Sequence, residues 1–289
     1  MTLTINSPLV SCDWLQQHLE DPNLRILDCS MVMQPNEDGS VGFVPGESLW
    51  QESHIPKSAH IGVGSELSDP DHALNMMMPP ADTLAETFRL RGIGDGTAVV
   101  CYDRSNHAWA ARVWWMLKAC GFDNAAVLDG GWKKWQADGR PESSASPTWS
   151  IPDNFTVQAR PEMMVDKERV KAASTEQDAQ LVHSLPLPMF TGEVVAYGRP
   201  GRIPGSKHLY CESLLDPASN TYLDPETLKT RIADSGISES ETVIAYCGGG
   251  IAASANALAL TAAGYDKVAV YDGSLSEWAA DPDLPMETG

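Results

Sequence analysis

Cys247 is the residue whose neighbours best suit chemistry. It is followed by Gly248-Gly249-Gly250, then by Ile251-Ala252 and an alanine-rich run that predicts a helix. Glycines tolerate positive φ and let successive backbone N–H groups point inward, which makes a nest for an anion. A helix starting at that point adds partial positive charge. Both effects favour thiolate over thiol, so the pattern points to a nucleophilic cysteine. Cys12, Cys29, Cys101, Cys120 and Cys211 lie in strand patterns or lack a glycine-rich frame, and read as small buried hydrophobes. No C-x-x-C pair occurs, so neither a metal site nor a disulfide framework is expected.

A cysteine at such a turn needs a strand to deliver it and a helix to follow it. Thr242–Tyr246 is a β-branched, almost continuously apolar run, the mark of a strand buried on both faces. A helix to Gly264 and a strand at 268–271 come next. The same order appears in the first half, with a strand at 98–102, a helix ending near Gly121 and a strand at 125–128. The halves are in register: Thr83 with Thr227, Gly92 with Gly236 and Tyr102 with Tyr246 are all 144 apart. Asp129 with Asp272 and Trp135 with Trp278 are 143 apart, whereas Ile55 with Ile203 and His60 with His208 are 148 apart. Strand–helix alternation predicts an α/β fold with a parallel sheet flanked by helices in each half. The Pro- and Ser-rich stretch around 141–152 lacks periodicity. The expected organisation is a domain at 1–143, a linker at 144–157 and a domain at 158–289. At the point where the second half has Cys247, the first has Asp103, so only the second is expected to be catalytic.

Composition excludes whole classes of partner. Lys and Arg total 20 against 39 Asp and Glu, a net charge of −19, which repels nucleic acid and anionic membranes. Screening over roughly 8–10 Å still allows a local site for a small anion. The chain, 289 residues and 43% hydrophobic, can form two domains with their own cores. It shows no basic start with an apolar stretch after it and no run near the ~20 apolar residues of a membrane helix. With scattered cysteines, a cytoplasmic protein is expected.

The motifs Arg112-Val-Trp-Trp115, Val127-Leu-Asp-Gly-Gly-Trp132, His54-Ile-Pro56, Gly201-Arg-Ile-Pro-Gly205 and Cys247-Gly-Gly-Gly-Ile-Ala-Ala253 span both halves. Together they resemble the tandem-domain rhodanese and mercaptopyruvate sulfurtransferases. The resemblance implies two rhodanese-like domains and a Cys247 that takes a sulfane sulfur from thiosulfate or 3-mercaptopyruvate, becoming a persulfide. It also implies transfer to cyanide or a thiol, such as a thioredoxin-like partner, without any cofactor. The loop Gly248, Gly249, Gly250, Ile251 and Ala252 then cradles the sulfur, and Asp103 is the inactive replacement. Because Arg104-Ser-Asn-His-Ala-Trp109 has no glycine, the first loop is expected not to form a nest.

Several positions depart from the family pattern. Thiosulfate-type members carry basic residues where this chain has Gly248 and Gly249. Mercaptopyruvate-type members read Cys-Gly-Ser-Gly, so Gly248 fits and Gly249 lacks the hydroxyl. Aligned on Phe190-x-Gly192, the family's donor-binding arginine falls at Leu185. Arg199 and Arg202 are therefore the cations expected to bind an anionic donor, Arg202 standing where the family has His. His54 matches a first-domain histidine used near the active site. Two other readings compete. A phosphatase needs an arginine closing a longer loop, and residues 248–255 contain none. A non-catalytic binding or sulfur-carrier module remains the alternative.

Overall fold

The computed structural model describes residues 3–35 and 41–289, which divide into two compact units. The first comprises residues up to Asp71, Met78–Ala159 and Pro217–Thr221; the second comprises His72–Met77, Arg160–Asp216 and Tyr222–Gly289.

The first unit runs β1 (Leu9–Val10), α1 (Cys12–His18), β2 (Leu24–Asp28), a hairpin of β3 (Met31–Pro35) and β4 (Val41–Pro45), then α2 (Glu47–Glu52) and β5 (Ser58–His60). It continues through α3 (Ala81–Leu90), β6 (Ala98–Tyr102), α4 (Ala108–Ala119), β7 (Ala125–Leu128) and α5 (Gly131–Ala137). Its sheet is ordered β1-β7-β6-β2-β5, with every pairing parallel. The central β6, Ala-Val-Val-Cys-Tyr, is buried along its whole length, as a strand covered on both faces must be.

The second unit contains β8 (Met164–Val165), α6 (Lys167–Glu176), β9 (Ala179–His183), α7 (Leu187–Thr191) and β10 (Lys207–His208). These are followed by α8 (Pro225–Asp234), β11 (Thr242–Tyr246), α9 (Ile251–Ala262), β12 (Val268–Tyr271) and α10 (Ser274–Trp278). The order β8-β12-β11-β9-β10, again parallel, reproduces the first sheet strand for strand. Asp224 caps α8 by accepting from the amides of Glu226 and Thr227 at 3.2 and 3.1 Å, with Pro225 at the first helical position.

Duplication extends to side-chain bonds. Tyr102 ends β6 with its hydroxyl 3.0 Å from Ser58 Oγ and 3.4 Å from the donating amide of Ile55. Tyr246 ends β11 and does the same with Ser206 at 2.7 Å and Ile203 at 3.1 Å. Trp135 and Trp278 donate their indole N–H groups to Pro141 and Pro285 at 2.8 and 2.9 Å.

The domain boundary differs from the sequence reading. The first unit extends through Ala159, because the segment read as a linker packs on it. Phe155 stacks on Phe88 and Phe122, Asn154 and Thr156 donate to Asp95, and the Gln158 amide donates to Cys120. Low hydrophobic periodicity in 144–157 reflects an extended strap held by individual anchors. Among the described residues, no helix is long and apolar enough to cross a membrane.

Candidate active site

Cys247 follows the last residue of β11, at the carboxyl end of a central parallel strand, and is 2% exposed. The chain then turns through Gly248 and Gly249 to Gly250, whose φ of 78° is left-handed, and enters α9. Ser274, also left-handed with φ 48°, places its buried hydroxyl beneath the turn. That hydroxyl accepts from the amides of Cys247 and Gly250 at 3.1 and 3.2 Å and donates to the Tyr271 carbonyl at 2.7 Å. On the other side of the turn, the Leu275 and Ser276 amides donate to the carbonyls of Cys247 and Gly248. The amides of Gly248, Gly249, Ile251, Ala252 and Ala253 have no acceptor among the described residues. They surround the start of a helix whose dipole favours negative charge.

The three glycines serve different ends. Gly250 needs its backbone conformation. Gly248 needs its missing side chain, because a Cβ there would collide with the Tyr197 hydroxyl. Gly249 faces open space, and a Cβ added to it would meet nothing within 4 Å.

The first unit repeats this turn with different chemistry. Asp103 follows β6, and His107, with φ 68°, occupies the left-handed position before α4. Asp103 Oδ1 accepts from the amides of Ser105 and His107 at 2.8 and 3.2 Å; Oδ2 accepts from Trp109 and Ala110 at 3.1 and 3.0 Å. The expectation that a glycine-free loop could not turn its amides inward is therefore wrong. A non-glycine residue takes the left-handed position, and the carboxylate fills the nest. Three residues separate Asp103 from His107, two separate Cys247 from Gly250, and here the repeat offset drops from 144 to 143.

The family profile of the rhodanese-like domain matches residues 11–138 and 192–281. The chain is 32% identical over 310 residues to the mitochondrial thiosulfate/3-mercaptopyruvate sulfurtransferase 1 of Arabidopsis thaliana, covering 99% of this chain and 80% of that one. It is 31% identical to the 3-mercaptopyruvate sulfurtransferase of Escherichia coli K12, over 96% of this chain and 97% of that protein. The chain belongs to the rhodanese-like family. It is one of the family's sulfurtransferases. The crystal structure of SseA, a 3-mercaptopyruvate sulfotransferase from Escherichia coli, superposes with a TM-score of 0.80 at 28% identity, covering 93% of this chain and 99% of that one.

Within this rhodanese-like frame, the two arginines singled out from sequence hold the fold together. Arg199 donates to the carbonyls of Ala279, Leu284, Trp278 and Asp281 at 2.9, 2.8, 3.1 and 2.6 Å, which uses four of its five N–H groups. Arg202 donates to the carbonyls of Phe190 and Gly289, pairs with Glu287 and lies 4.2 Å over the Phe190 ring. His54 is fully buried in the first unit, stacked on Trp50, with its ring nitrogens 2.6 and 3.1 Å from the carbonyls of Trp50 and Ala145. His54 and Arg202 are counterparts, 148 apart. Each exchanges two backbone hydrogen bonds with a residue of its unit's trailing segment, Ser143 or Glu287. A place filled alike in both units closes the fold and does not distinguish the unit that carries the cysteine. Leu185, in the slot expected for arginine, packs against the second core, as Tyr197 does.

Sequence reading missed Ser274 and Tyr197. The first had a signal: the matched motifs Asp129-Gly130 and Asp272-Gly273 are followed by Gly131 and Ser274, a difference between the halves. Tyr197 had none, since it reaches the loop through tertiary packing.

The other thiols behave as buried hydrophobes. Burial pushes Cys12 up to about 11 and Cys120 up to about 12. Burial, then the charge of Glu212, pushes Cys211 up to about 12, and Cys29 is raised by its complete burial. All six cysteines are free.

Proposed function

We propose that this chain moves a sulfane sulfur from 3-mercaptopyruvate or thiosulfate to a thiophilic acceptor through a persulfide on Cys247. The observation that carries this reading is the ring of unmatched amides around the start of α9, beside the cysteine. These dipoles are fixed by the fold and stabilise a sulfur anion without reorganising.

The Cys247 thiolate attacks the outer sulfur of thiosulfate; the S–S bond breaks and sulfite leaves with the electron pair. With 3-mercaptopyruvate the C–S bond breaks instead. The electron pair passes to the enolate of pyruvate, which takes the thiol proton. In either case the enzyme holds Cys–S–S⁻. Attack on its outer sulfur by cyanide gives thiocyanate, and attack by a thiolate gives an acceptor persulfide; the Cys247 thiolate returns. A thioredoxin-like protein supplies the thiol chemistry this step needs. No metal or organic cofactor takes part, and the chain's acidity disfavours nucleic acid as a partner. A reducing compartment such as the cytoplasm suits a nucleophile that must stay free of disulfides.

The relatives named for mercaptopyruvate support that donor, as does Gly248 in place of a basic residue. The test is intact-protein mass after incubation with each donor, followed by peptide mapping. One added sulfur on Cys247 is expected, discharged by cyanide. No added sulfur, or sulfur on Cys211 or Cys101, overturns the reading and leaves a non-catalytic binding or carrier role.

A further inference from the structure

The entrance to the cysteine loop is shaped by a residue that neither the repeat nor the motifs reveal. Tyr197 lies in a strap between α7 and the Arg199 anchor. Its ring packs on the second core with Leu185, Val165 and Met286, and its hydroxyl lies against Gly248. No hydrogen-bond partner for that hydroxyl exists among the described residues. Just before it in the strap, Val194 and Val195 are 46% and 54% exposed. No basic side chain closes on the loop from this strap, because Arg199 is committed to four carbonyls.

We propose that Tyr197 determines donor choice at Cys247: its hydroxyl takes the volume that any side chain on residue 248 would need, and offers a neutral hydrogen-bond donor in place of a cation. The inference deepens the proposed sulfurtransferase reading and rests on it. Burial, with the nearby charge of Cys247, pushes the Tyr197 phenol up to about 12, so it stays protonated at neutral pH. A neutral donor beside partial amide charges suits the carbonyl and single carboxylate of a 2-keto acid. A compact dianion such as thiosulfate asks for full positive charge, and this strap offers none beside the loop. Tyr197 and Gly248 thus form one unit of specificity: a basic residue fits at 248 only when the ring is gone.

The experiment compares kcat/KM for 3-mercaptopyruvate and thiosulfate in four proteins: the parent, Tyr197→Phe, Gly248→Arg, and Gly248→Arg with Tyr197→Gly. Tyr197→Phe keeps the ring and removes one hydrogen bond. It is expected to retain the parent's melting temperature and to lower kcat/KM for 3-mercaptopyruvate about tenfold or more, with a smaller effect on thiosulfate. Gly248→Arg alone is expected to lose activity with both donors. The double variant is expected to recover, with its preference moved toward thiosulfate by at least about tenfold. Equal kcat/KM for parent and Tyr197→Phe with both donors overturns the proposal. So does a Gly248→Arg single variant as active as the double one. Mass measurement of the Cys247 persulfide on the parent separates the two readings. If the parent does not load with sulfur, the proposed function fails; if it loads and the variants follow the parent, only the role of Tyr197 fails.

Discussion

After β6 the chain turns at Asp103 and enters α4; after β11 it turns at Cys247 and enters α9. The sheets beneath are superimposable in order, and both turns carry a left-handed residue just before the helix. In the first unit a carboxylate accepts from four amides, two in the turn and two in the first turn of α4. In the second a serine hydroxyl accepts two from below, and five others have no acceptor among the described residues. The difference teaches that the nest belongs to the strand–turn–helix geometry and not to glycine. What separates the two turns is whether the nest is filled from within.

The sharpest break between the turns is Cys247→Ser. It is expected to reduce sulfur transfer by at least about a thousandfold while changing stability by no more than about 1 kcal/mol. Steady-state assay and thermal melting check the two halves of that statement. Asp103→Ala should do the reverse. It leaves three buried amides and the partly buried Ser105 amide without their acceptor, and a loss of about 3–5 kcal/mol is expected by denaturant titration, with transfer per folded molecule retained. A stable Asp103→Ala variant would show that water satisfies the first turn as readily as the carboxylate.

A pH difference sharpens the comparison next. Asp28 ends β2 and His183 ends its counterpart β9, each beside the central tyrosine of its sheet. Burial, then the charge of His208, pushes the His183 imidazole down to about 3 from 6.5. Below pH 6.5 the unfolded chain binds a proton that the folded unit refuses, so stability falls as pH drops from 6.5 toward 3. The slope from this one group is at most about 1.4 kcal/mol per pH unit. His183→Leu is expected to flatten that acid limb of the melting curve; an unchanged limb would assign it elsewhere.

Smaller effects follow for the residues the arginine expectation concerned. Arg199→Lys keeps the charge and loses most of the carbonyl bonds. It is expected to cost about 2–3 kcal/mol and to alter KM as much as Arg199→Ala does. A KM preserved by Lys and raised by Ala would restore Arg199 as a donor-binding cation. Smallest of all, Gly249→Ser should change kcat/KM within about twofold, because the added side chain enters open space. Gly250→Ala, at a φ of 78°, should cost about 1–2 kcal/mol.

Much of this was legible in sequence because duplication writes the fold twice. The strands 98–102 and 242–246, the tyrosines at their ends and the contrast of Asp103 with Cys247 all followed from one offset. Local geometry was readable where a residue acts through its own backbone, as in the turn from Cys247 at the end of β11 to Gly250 before α9. It was not readable where a long side chain chooses among partners far along the chain. Arg199 and Arg202 were assigned by proximity in sequence and charge, yet apart from Phe190 the groups they bond lie 79 to 87 residues on. His107 was overlooked because left-handed φ in a non-glycine residue has no sequence mark. The linker was misplaced because single anchors such as Phe155 leave no period.

The filled nest of the first unit has one more consequence. Counted from the Cα atom, a carboxylate oxygen of aspartate is the third atom along its side chain, and so is the outer sulfur of a persulfidated cysteine. Both end in negative charge. Asp103 therefore keeps permanently, in carbon and oxygen, the outline that the proposed persulfide would give Cys247 while loaded. By the same count, Cys247→Asp is an inert portrait of the sulfur-bearing enzyme, suited to catching an acceptor that recognises the loaded form and cannot discharge it.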